Sequence, residues 1–189
     1  MAKELEVEFK TLLTKSEYTK LAAMFADKPS NTQVNYYFDT PRFTLKASDI
    51  GLRVRQRDTY ELTLKRKKGY ALIEINETLS EEDFQTFLKT GVIPSQSINN
   101  DLSEIIKGQN IINYMSLSTY RITFPYRNGI IALDKCEYVN KVDYELEYHT
   151  SQYEDGKKTF IELIKTNNLV YKKSQPKIKR AYDALKRNY

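Results

Sequence analysis

Residues near the start of the chain alternate strictly between charged and apolar side chains, and this alternation restricts the possible folds. The segment 4–10, with the sequence ELEVEFK, fits a β-strand because successive side chains of a strand point to opposite faces. The charged row consists of Glu4, Glu6, Glu8 and Lys10. The apolar row consists of Leu5, Val7 and Phe9. One such strand ordinarily turns its charged row to water, so the interpretation depends on whether other strands carry similar rows.

Three later segments repeat the alternation with other charges. They cover residues 52–57 (LRVRQR), 61–67 (ELTLKRK) and 141–149 (KVDYELEYH). Their polar rows contain Arg53, Arg55 and Arg57, then Glu61, Thr63, Lys65 and Lys67, then Asp143, Glu145 and Glu147. Strands are also predicted over residues 33–39, 70–77, 114–126 and 130–137, which makes eight candidates with the first. The short connections within residues 52–77 favour antiparallel pairing.

Helices are predicted between and after these strands from capping signals and apolar spacing. Thr14 and Glu17 have the spacing of a capping box, and Ser80 precedes an acidic first turn. Further helices are predicted over 97–107 and 151–167 and in the segment 174–185, where a proline lies near the first turn. Hairpin turns are predicted at Arg127–Asn128–Gly129, where the Asn-Gly pair is the signal, and at Lys68–Gly69. The fold class is therefore α+β.

Composition bounds the class of protein without choosing its function. A chain of 189 residues with 29% charged and 40% hydrophobic residues fits one globular domain over residues 1–189. A net charge of +5 permits a polyanionic partner but does not select one. The start of the chain lacks an apolar segment, and no run approaches the length of a membrane span, so we expect no membrane partner.

A single cysteine and a single histidine exclude several kinds of site. Cys136 alone cannot form an internal disulfide, which favours a reducing compartment, and we expect the cytoplasm. Because His149 is the single histidine of the chain, neither a His/Cys zinc site nor a catalytic triad of cysteine and histidine is expected. His149 lies at a strand end, and we expect it to be non-catalytic. Any metal would be a hard cation held by carboxylates.

Eight strands suffice to close a small antiparallel barrel. If helices cover the apolar rows on the outside, the charged rows converge on a polar tunnel, to which Arg121 and Asp134 could add one charge each. Crowded carboxylates need cations among them, and arginine prefers bidentate pairing with carboxylate or phosphate oxygens. A polyphosphate carrying Mg²⁺ or Mn²⁺ satisfies both requirements. Internal salt bridges are the alternative.

Several of these segments together resemble a known family. The segment 6–10 (EVEFK) resembles its ExExK signature, 52–55 (LRVR) its LRxR strand, and 63–65 (TLK) its TLK motif. The late ExE is similar to 145–147 (ELE), and the basic C-terminal motif to Ser174, Lys177 and Arg180. These five pieces occur in the order found in the CYTH family, the triphosphate tunnel metalloenzymes, and the resemblance extends over the whole chain.

The resemblance implies an eight-stranded antiparallel tunnel whose members hydrolyse inorganic triphosphate, thiamine triphosphate or RNA 5′-triphosphate, or cyclise ATP. It implies Mg²⁺ or Mn²⁺ bound by Glu6, Glu8, Asp134, Glu145 and Glu147. It implies phosphate bound by Lys10, Arg53, Arg55, Lys65, Arg121, Lys177 and Arg180. Among these, Glu8, Lys10 and Arg55 are expected to be catalytic. Glu74 and Asn76 fall where the family often has a second acidic pair, and Asn76 departs from that pattern.

Four functions remain open from the sequence. A metal-dependent triphosphatase is favoured, with inorganic triphosphate as its small-molecule substrate, because the chain has no tryptophan to stack on a thiamine ring. A class IV-type adenylate cyclase would use the same tunnel for ATP. A non-catalytic sensor would bind polyphosphate or a nucleotide without turnover. An RNA-binding protein is the weakest reading, and nucleic acid is expected only as a triphosphate-ended substrate. The sequence gives no oligomeric state.

Overall fold

The computed structural model describes residues 7–68 and 71–187. The strands within these ranges are β1 (Val7–Leu13), β2 (Ser30–Asp39), β3 (Ile50–Gln56), β4 (Tyr60–Lys68), β5 (Ala71–Leu79), β6 (Ile112–Tyr126), β7 (Gly129–Tyr138) and β8 (Lys141–Thr150). The helices are α1 (Lys15–Met24), α2 (Thr44–Ala47), α3 (Glu81–Thr90), α4 (Gln96–Ile106), α5 (Tyr153–Thr166) and α6 (Lys177–Lys186). None of these helices combines the length and apolar character needed to cross a membrane.

The strands belong to one sheet with the order β1-β8-β7-β6-β2-β3-β4-β5. The pairings along it, such as β1 with β8 and β3 with β4, are antiparallel. The prediction of an α+β fold with eight antiparallel strands is confirmed. No hydrogen-bonded pairing between β1 and β5 occurs within the described residues, so the backbone hydrogen bonds do not close the predicted barrel.

The chain divides into two compact units. The first unit contains residues 1–32 and 118–189, of which 7–32 and 118–187 are described, and the second unit contains residues 33–117. Strands β2 and β6 each contribute residues to both units. The single functional domain over residues 1–189 stays a prediction.

In the first unit, one face of the strands is apolar and is covered by helices. Leu146 and Tyr148 of β8 point into this core, together with Leu133 of β7 and Phe160 and Leu163 of α5. A further core residue, from α1, is Leu21. Helix α5 approaches β8 closely at a glycine, since a Cβ atom on residue 156 would lie 2.4 Å from the Thr150 Cγ2 atom. The alternate residues of β8 therefore remain for the opposite, charged face.

The second unit has its own apolar core on one face of β3 and β4. Leu52 and Leu64 are buried there, and the rings of Phe38 and Phe87 stack with their centroids 4.1 Å apart. Short helix α2 is fixed by a buried carboxylate, because Asp39 accepts hydrogen bonds from the backbone N–H groups of residues 40, 45 and 46. As in the first unit, helices cover the apolar rows, which agrees with the arrangement predicted from the sequence.

Local sequence signals located the starts of two helices correctly. The capping box of Thr14 and Glu17 and the N-cap at Ser80 are both present. The turn between β6 and β7 lies within the predicted segment 127–129, and its two central residues are Arg127 and Asn128. Gly129 belongs to β7, where a Cβ atom would lie 2.4 Å from the backbone oxygen of residue 149, so close approach rather than the turn requires glycine. The predicted turn at 68–69 involves residue 69, which lies outside the described residues.

Candidate functional site

The charged face of the first unit is built from three neighbouring strands. Glu145 and Glu147 alternate along β8, and Asp134 of β7 lies opposite Glu145 in the antiparallel register. Arg121 of β6 lies opposite Asp134 in turn. The side chains of Asp134 and Glu145 are 0% exposed and that of Glu147 is 3% exposed. Buried carboxylates require neutralising partners, so cationic side chains or metal ions are expected beside them on this face.

Lys177, at the start of α6, contacts all three of these carboxylates. Its Nζ atom lies 2.9 Å from Asp134 Oδ2 and 2.7 Å from Glu145 Oε2, and it also pairs with Glu147. Burial opposes the positive charge of Lys177, but the three carboxylates outweigh it and hold the pKa of the ammonium above its usual range. One ammonium group is therefore shared by three buried carboxylates.

Two arginines complete the charge balance of this face. The Arg121 guanidinium donates to both oxygens of Asp134, at 2.7 and 2.6 Å, and to Glu147 at 2.7 Å. Arg180, one helical turn after Lys177, pairs with Asp143 and Glu145 at 2.9 and 3.2 Å. Burial opposes both charges, but these carboxylates raise the pKa of each guanidinium. Both arginines remain cationic at any physiological pH.

The N-terminal strand supplies a second part of the charged face. Lys10 lies opposite Glu147 and Glu8 lies opposite His149 in the register of β1 with β8. Lys10 Nζ lies 2.5 Å from Glu8 Oε1, and His149 Nε2 lies 3.1 Å from Glu147 Oε2. The hydrogen bond with Glu147 raises the pKa of His149 against the opposing effect of burial.

Two overlapping groups of side chains in the described part of the chain could hold a metal ion. One group is Asp134, Glu145 and Glu147, and the other is Glu8, Glu147 and His149. Within each group the candidate ligand atoms lie within 4.8 Å of one another. The three-carboxylate group offers only hard oxygen donors, which are the ligands preferred by Mg²⁺ and Mn²⁺. Its chemistry fits the expected cation, provided that Lys177 withdraws its ammonium.

The charged face of the second unit has a different composition. Arg53 and Arg55 alternate along β3, and Arg57 follows the last residue of the strand. Arg55 Nε donates to the Asn35 amide oxygen at 3.0 Å, and Arg57 Nε donates to that of Gln33 at 2.9 Å. These partners are neutral. Within the described residues of this unit, no carboxylate lies within 4.0 Å of any of the three guanidinium groups.

The surroundings of Arg55 make its charge costly. Burial lowers the pKa of Arg55 to about 10, and the neighbouring charges of Arg53 and Arg57 act in the same direction. Arg53 contacts the Thr63 hydroxyl at 3.4 Å, while its buried Nε atom has no hydrogen-bond partner among the described residues. Lys65 is the exception on this face, since it pairs with Glu74 at 2.8 Å. A row of partly buried cations with few acidic partners is suited to an anionic ligand.

The structure divides the predicted site residues between the two units. The first unit brings together Glu8, Lys10, Arg121, Asp134, Glu145, Glu147, Lys177 and Arg180. The second unit carries Arg53, Arg55 and Lys65. Glu6 lies outside the described residues. Their roles in binding and catalysis stay predictions.

Three side chains on the charged face of the first unit were not among the predicted site residues. His149 contacts Glu147, Asp143 contacts Arg180, and the Ser174 hydroxyl donates to Glu145. The period of two on β8 contained a signal for His149, because it continues the row of Asp143, Glu145 and Glu147. Ser174 belongs to the C-terminal motif, but its contact with Glu145 depends on where the segment before α6 crosses the strands.

Comparison with known proteins identifies the family. The profile of the CYTH domain matches residues 4–182. The chain belongs to the CYTH family. A CYTH relative from Bacillus subtilis strain 168, YjbK, is 33% identical over 188 residues, which cover 97% of each protein. YjbK is provisionally named a triphosphatase. The resemblance seen in the sequence motifs is thereby confirmed.

Solved structures of similar proteins support the same fold. A Bacillus halodurans protein, provisionally described as an adenylate cyclase, is 31% identical with a TM-score of 0.74, covering 95% of this chain and 98% of its own. A Hippeastrum protein, HpAC1, has a TM-score of 0.73 over 94% of both chains. HpAC1 is provisionally an adenylyl cyclase and is described as having a dominant triphosphatase activity. At 20% identity, its similarity to this CYTH protein shows the fold alone.

Proposed function

We propose that this CYTH protein is a divalent-metal-dependent triphosphatase that releases orthophosphate from a triphosphate, with inorganic triphosphate as the favoured substrate. The observation that carries the proposal is the buried group of Asp134, Glu145 and Glu147, which shares the Lys177 ammonium and is also paired with two arginines. The name of the Bacillus subtilis relative supports the reaction class.

Carboxylates of the first unit would hold the cation. Asp134, Glu145 and Glu147 form the buried ligand set, Glu8 adds a carboxylate at β1, and Glu6 is proposed as a further ligand from the family motif. Mg²⁺ or Mn²⁺ would supply positive charge to phosphate oxygens and lower the pKa of a coordinated water. Lys177 must leave the carboxylates when a cation binds, which frees its ammonium to bind phosphate instead.

Cationic side chains would bind phosphoryl oxygens. Phosphoryl transfer depends mainly on positioning and on neutralisation of charge, because little covalent chemistry is required of the protein. The proposed phosphate ligands are Lys10, Arg53, Arg55, Lys65, Arg121, Lys177 and Arg180. Arg55 would stabilise charge in the transition state, and its few acidic partners leave its donors available for this role. Lys10, together with Glu8, would orient the attacking water.

The proposal is tested by phosphate release from tripolyphosphate, ATP, thiamine triphosphate and triphosphorylated RNA, each with Mg²⁺ and with Mn²⁺. Orthophosphate should be released fastest from tripolyphosphate, and chelation of the metal should stop the reaction. Arg55→Ala should lower the rate at least about 100-fold. Arg66→Ala provides a matched control, because Arg66 pairs with Asp101 on the helix-covered side of the second unit. No phosphate release from any of the four substrates would contradict the proposal.

Adenylate cyclase is the second candidate, because the Bacillus halodurans relative carries that provisional description. The same assay separates the two reactions when ATP is the substrate. Cyclic AMP with pyrophosphate would indicate a cyclase, whereas orthophosphate would indicate a hydrolase. Binding of tripolyphosphate with thermal stabilisation but without turnover would indicate a sensor.

A further inference from the structure

His149 lies on the charged face of the first unit, beside two carboxylates. It follows Glu147 by two residues on β8, so both side chains point to the same face of the strand. Glu8 of β1 lies directly opposite His149 in the antiparallel register. Side chains at directly opposite positions have their Cβ atoms about 5 Å apart. Two strands thus bring an imidazole and two carboxylates together.

The distances within this group are close to those of a metal site. His149 Nε2 lies 3.1 Å from Glu147 Oε2, and the candidate atoms of Glu8, Glu147 and His149 lie within 4.8 Å of one another. Ligands bound at about 2.1 Å to an octahedral cation are separated by about 3 to 4 Å. Side-chain rotations are therefore sufficient to bring the three groups onto one ion.

Two of the three side chains are also close enough to solvent to rearrange. The His149 side chain is 18% exposed and that of Glu8 is 36% exposed. Cations already surround the acids of this group, since Glu8 pairs with Lys10 at 2.5 Å and Glu147 pairs with Arg121 at 2.7 Å. A divalent ion would replace these pairings as the source of positive charge.

We propose that His149 is a metal ligand and that, with Glu8 and Glu147, it binds a second divalent cation. The proposal rests on the proposed function to the extent that both require divalent metal on this face. Glu147 belongs to this group and to the group of Asp134 and Glu145, so one carboxylate serves two cations. His149 contributes the only nitrogen ligand among the side chains of the two groups.

An imidazole ligand changes the metal preference of the site. Carboxylates suit Mg²⁺, Ca²⁺ and Mn²⁺, whereas imidazole suits first-row transition metals. The group containing His149 should therefore favour Mn²⁺ or Co²⁺ over Mg²⁺. The group of Asp134, Glu145 and Glu147 lacks nitrogen and should show no such bias.

Pulsed electron paramagnetic resonance of bound Mn²⁺ tests this ligand directly. The chain contains one histidine, so an imidazole nitrogen coupled to Mn²⁺ in the untagged protein can only come from His149. We expect ¹⁴N modulation in the wild type and its loss in His149→Gln. Labelling histidine with ¹⁵N provides a test without substitution, because the modulation should shift to the ¹⁵N frequencies. Bound Mn²⁺ without nitrogen coupling would overturn the inference.

Metal titrations by calorimetry give a second readout that does not depend on turnover. His149→Gln should weaken the second Mn²⁺-binding event by about tenfold or more and change Mg²⁺ binding much less. Equal effects on the two metals would overturn the assignment. Nitrogen coupling in a protein that hydrolyses no triphosphate would support the ligand and reject the proposed function. Hydrolysis of a triphosphate by a protein whose bound Mn²⁺ lacks nitrogen coupling would support the proposed function and reject His149 as a metal ligand.

Discussion

In the first unit, the carboxylates of β7 and β8 lie within ion-pair distance of Lys177, Arg121 and Arg180, whereas in the second unit Arg55 donates to the neutral amide of Asn35. The first face is balanced by its own side chains. The second face keeps positive charge with few acids beside it. Under the proposed function, the carboxylates of the first face would exchange the Lys177 ammonium for a metal cation, and the arginines of the second face would bind an anion.

The largest effect on stability should follow from removing Lys177. Lys177→Met leaves three buried carboxylates without their shared ammonium, and removal of one partner from a buried ion pair costs about 3 to 5 kcal/mol. Urea unfolding at pH 7 without divalent metal measures this change in the free energy of unfolding. Added Mn²⁺ should restore part of the loss, because it takes the place of the ammonium.

The matched control for Lys177 is Lys179→Met. Lys179 is exposed and pairs with Asp183 across one helical turn, so its removal should change the free energy of unfolding by less than about 0.5 kcal/mol. If the two variants lost equal stability, the carboxylates would be neutralised by other groups. The claim that the first face depends on Lys177 for its charge balance would then be wrong.

Arg55→Met should separate stability from binding. Arg55 pairs with a neutral amide, and burial with repulsion from Arg53 and Arg57 lowers its pKa to about 10. Its removal should therefore change the free energy of unfolding by no more than about 1 kcal/mol. The affinity for tripolyphosphate, measured by calorimetry without metal, should fall by about tenfold or more because a charged hydrogen bond is lost. A stability loss as large as that of Lys177→Met would mean that the arginine row is structural.

The smallest expected effect on stability concerns Glu17, a carboxylate that lies outside both charged faces. Burial alone would raise its pKa, but hydrogen bonds from Thr14, Lys172 and the backbone of Val170 outweigh this and lower it from 4.5 to about 2. The ionised carboxylate therefore stabilises the fold above pH 4.5, and this contribution is lost as the pH falls towards 2.

The unfolding free energies of the wild type and Glu17→Gln should accordingly differ by less than about 1 kcal/mol at pH 7 and converge as the pH falls to about 2 and below. Chemical denaturation across this range measures the difference. A gap that stays constant with pH would show that the charge of Glu17 contributes nothing. The comparison also gives the contribution to the free energy of unfolding of a carboxylate that lies outside the proposed metal and phosphate sites.

The fold and the composition of the charged faces followed from short-range patterns. Alternation on β3 and β8 placed Arg53, Arg55, Glu145 and Glu147 on common faces, and the capping box of Thr14 located α1. These signals depend only on the period of a strand and on hydrogen bonds within one helical turn, so a single sequence contains them. The order of the motifs along the chain also predicted the CYTH family.

Contacts between distant segments could not be predicted in the same way. The three contacts of Lys177 depend on how α6 lies against β7 and β8, and Leu12 donates its backbone N–H to the Lys172 oxygen at 3.1 Å across 160 residues of chain. The hydrogen bonds from α2 to the Asp39 carboxylate likewise depend on a turn after β2 that has no recognisable sequence motif. The position of Glu8 opposite His149 likewise depends on the pairing of β1 with β8, which are far apart in the sequence.

The most direct test of the proposed metal-dependent triphosphatase activity is orthophosphate release from tripolyphosphate with Mn²⁺ by Glu145→Gln, compared with the wild type. Glu145 is fully buried and belongs to the three-carboxylate group, whereas Glu162 is exposed and pairs with Arg127, so Glu162→Gln is the control. We predict at least about a 100-fold loss of rate for Glu145→Gln, with its fold verified by thermal unfolding, and none for the control. A folded Glu145→Gln protein with the wild-type rate would contradict the assignment of these carboxylates.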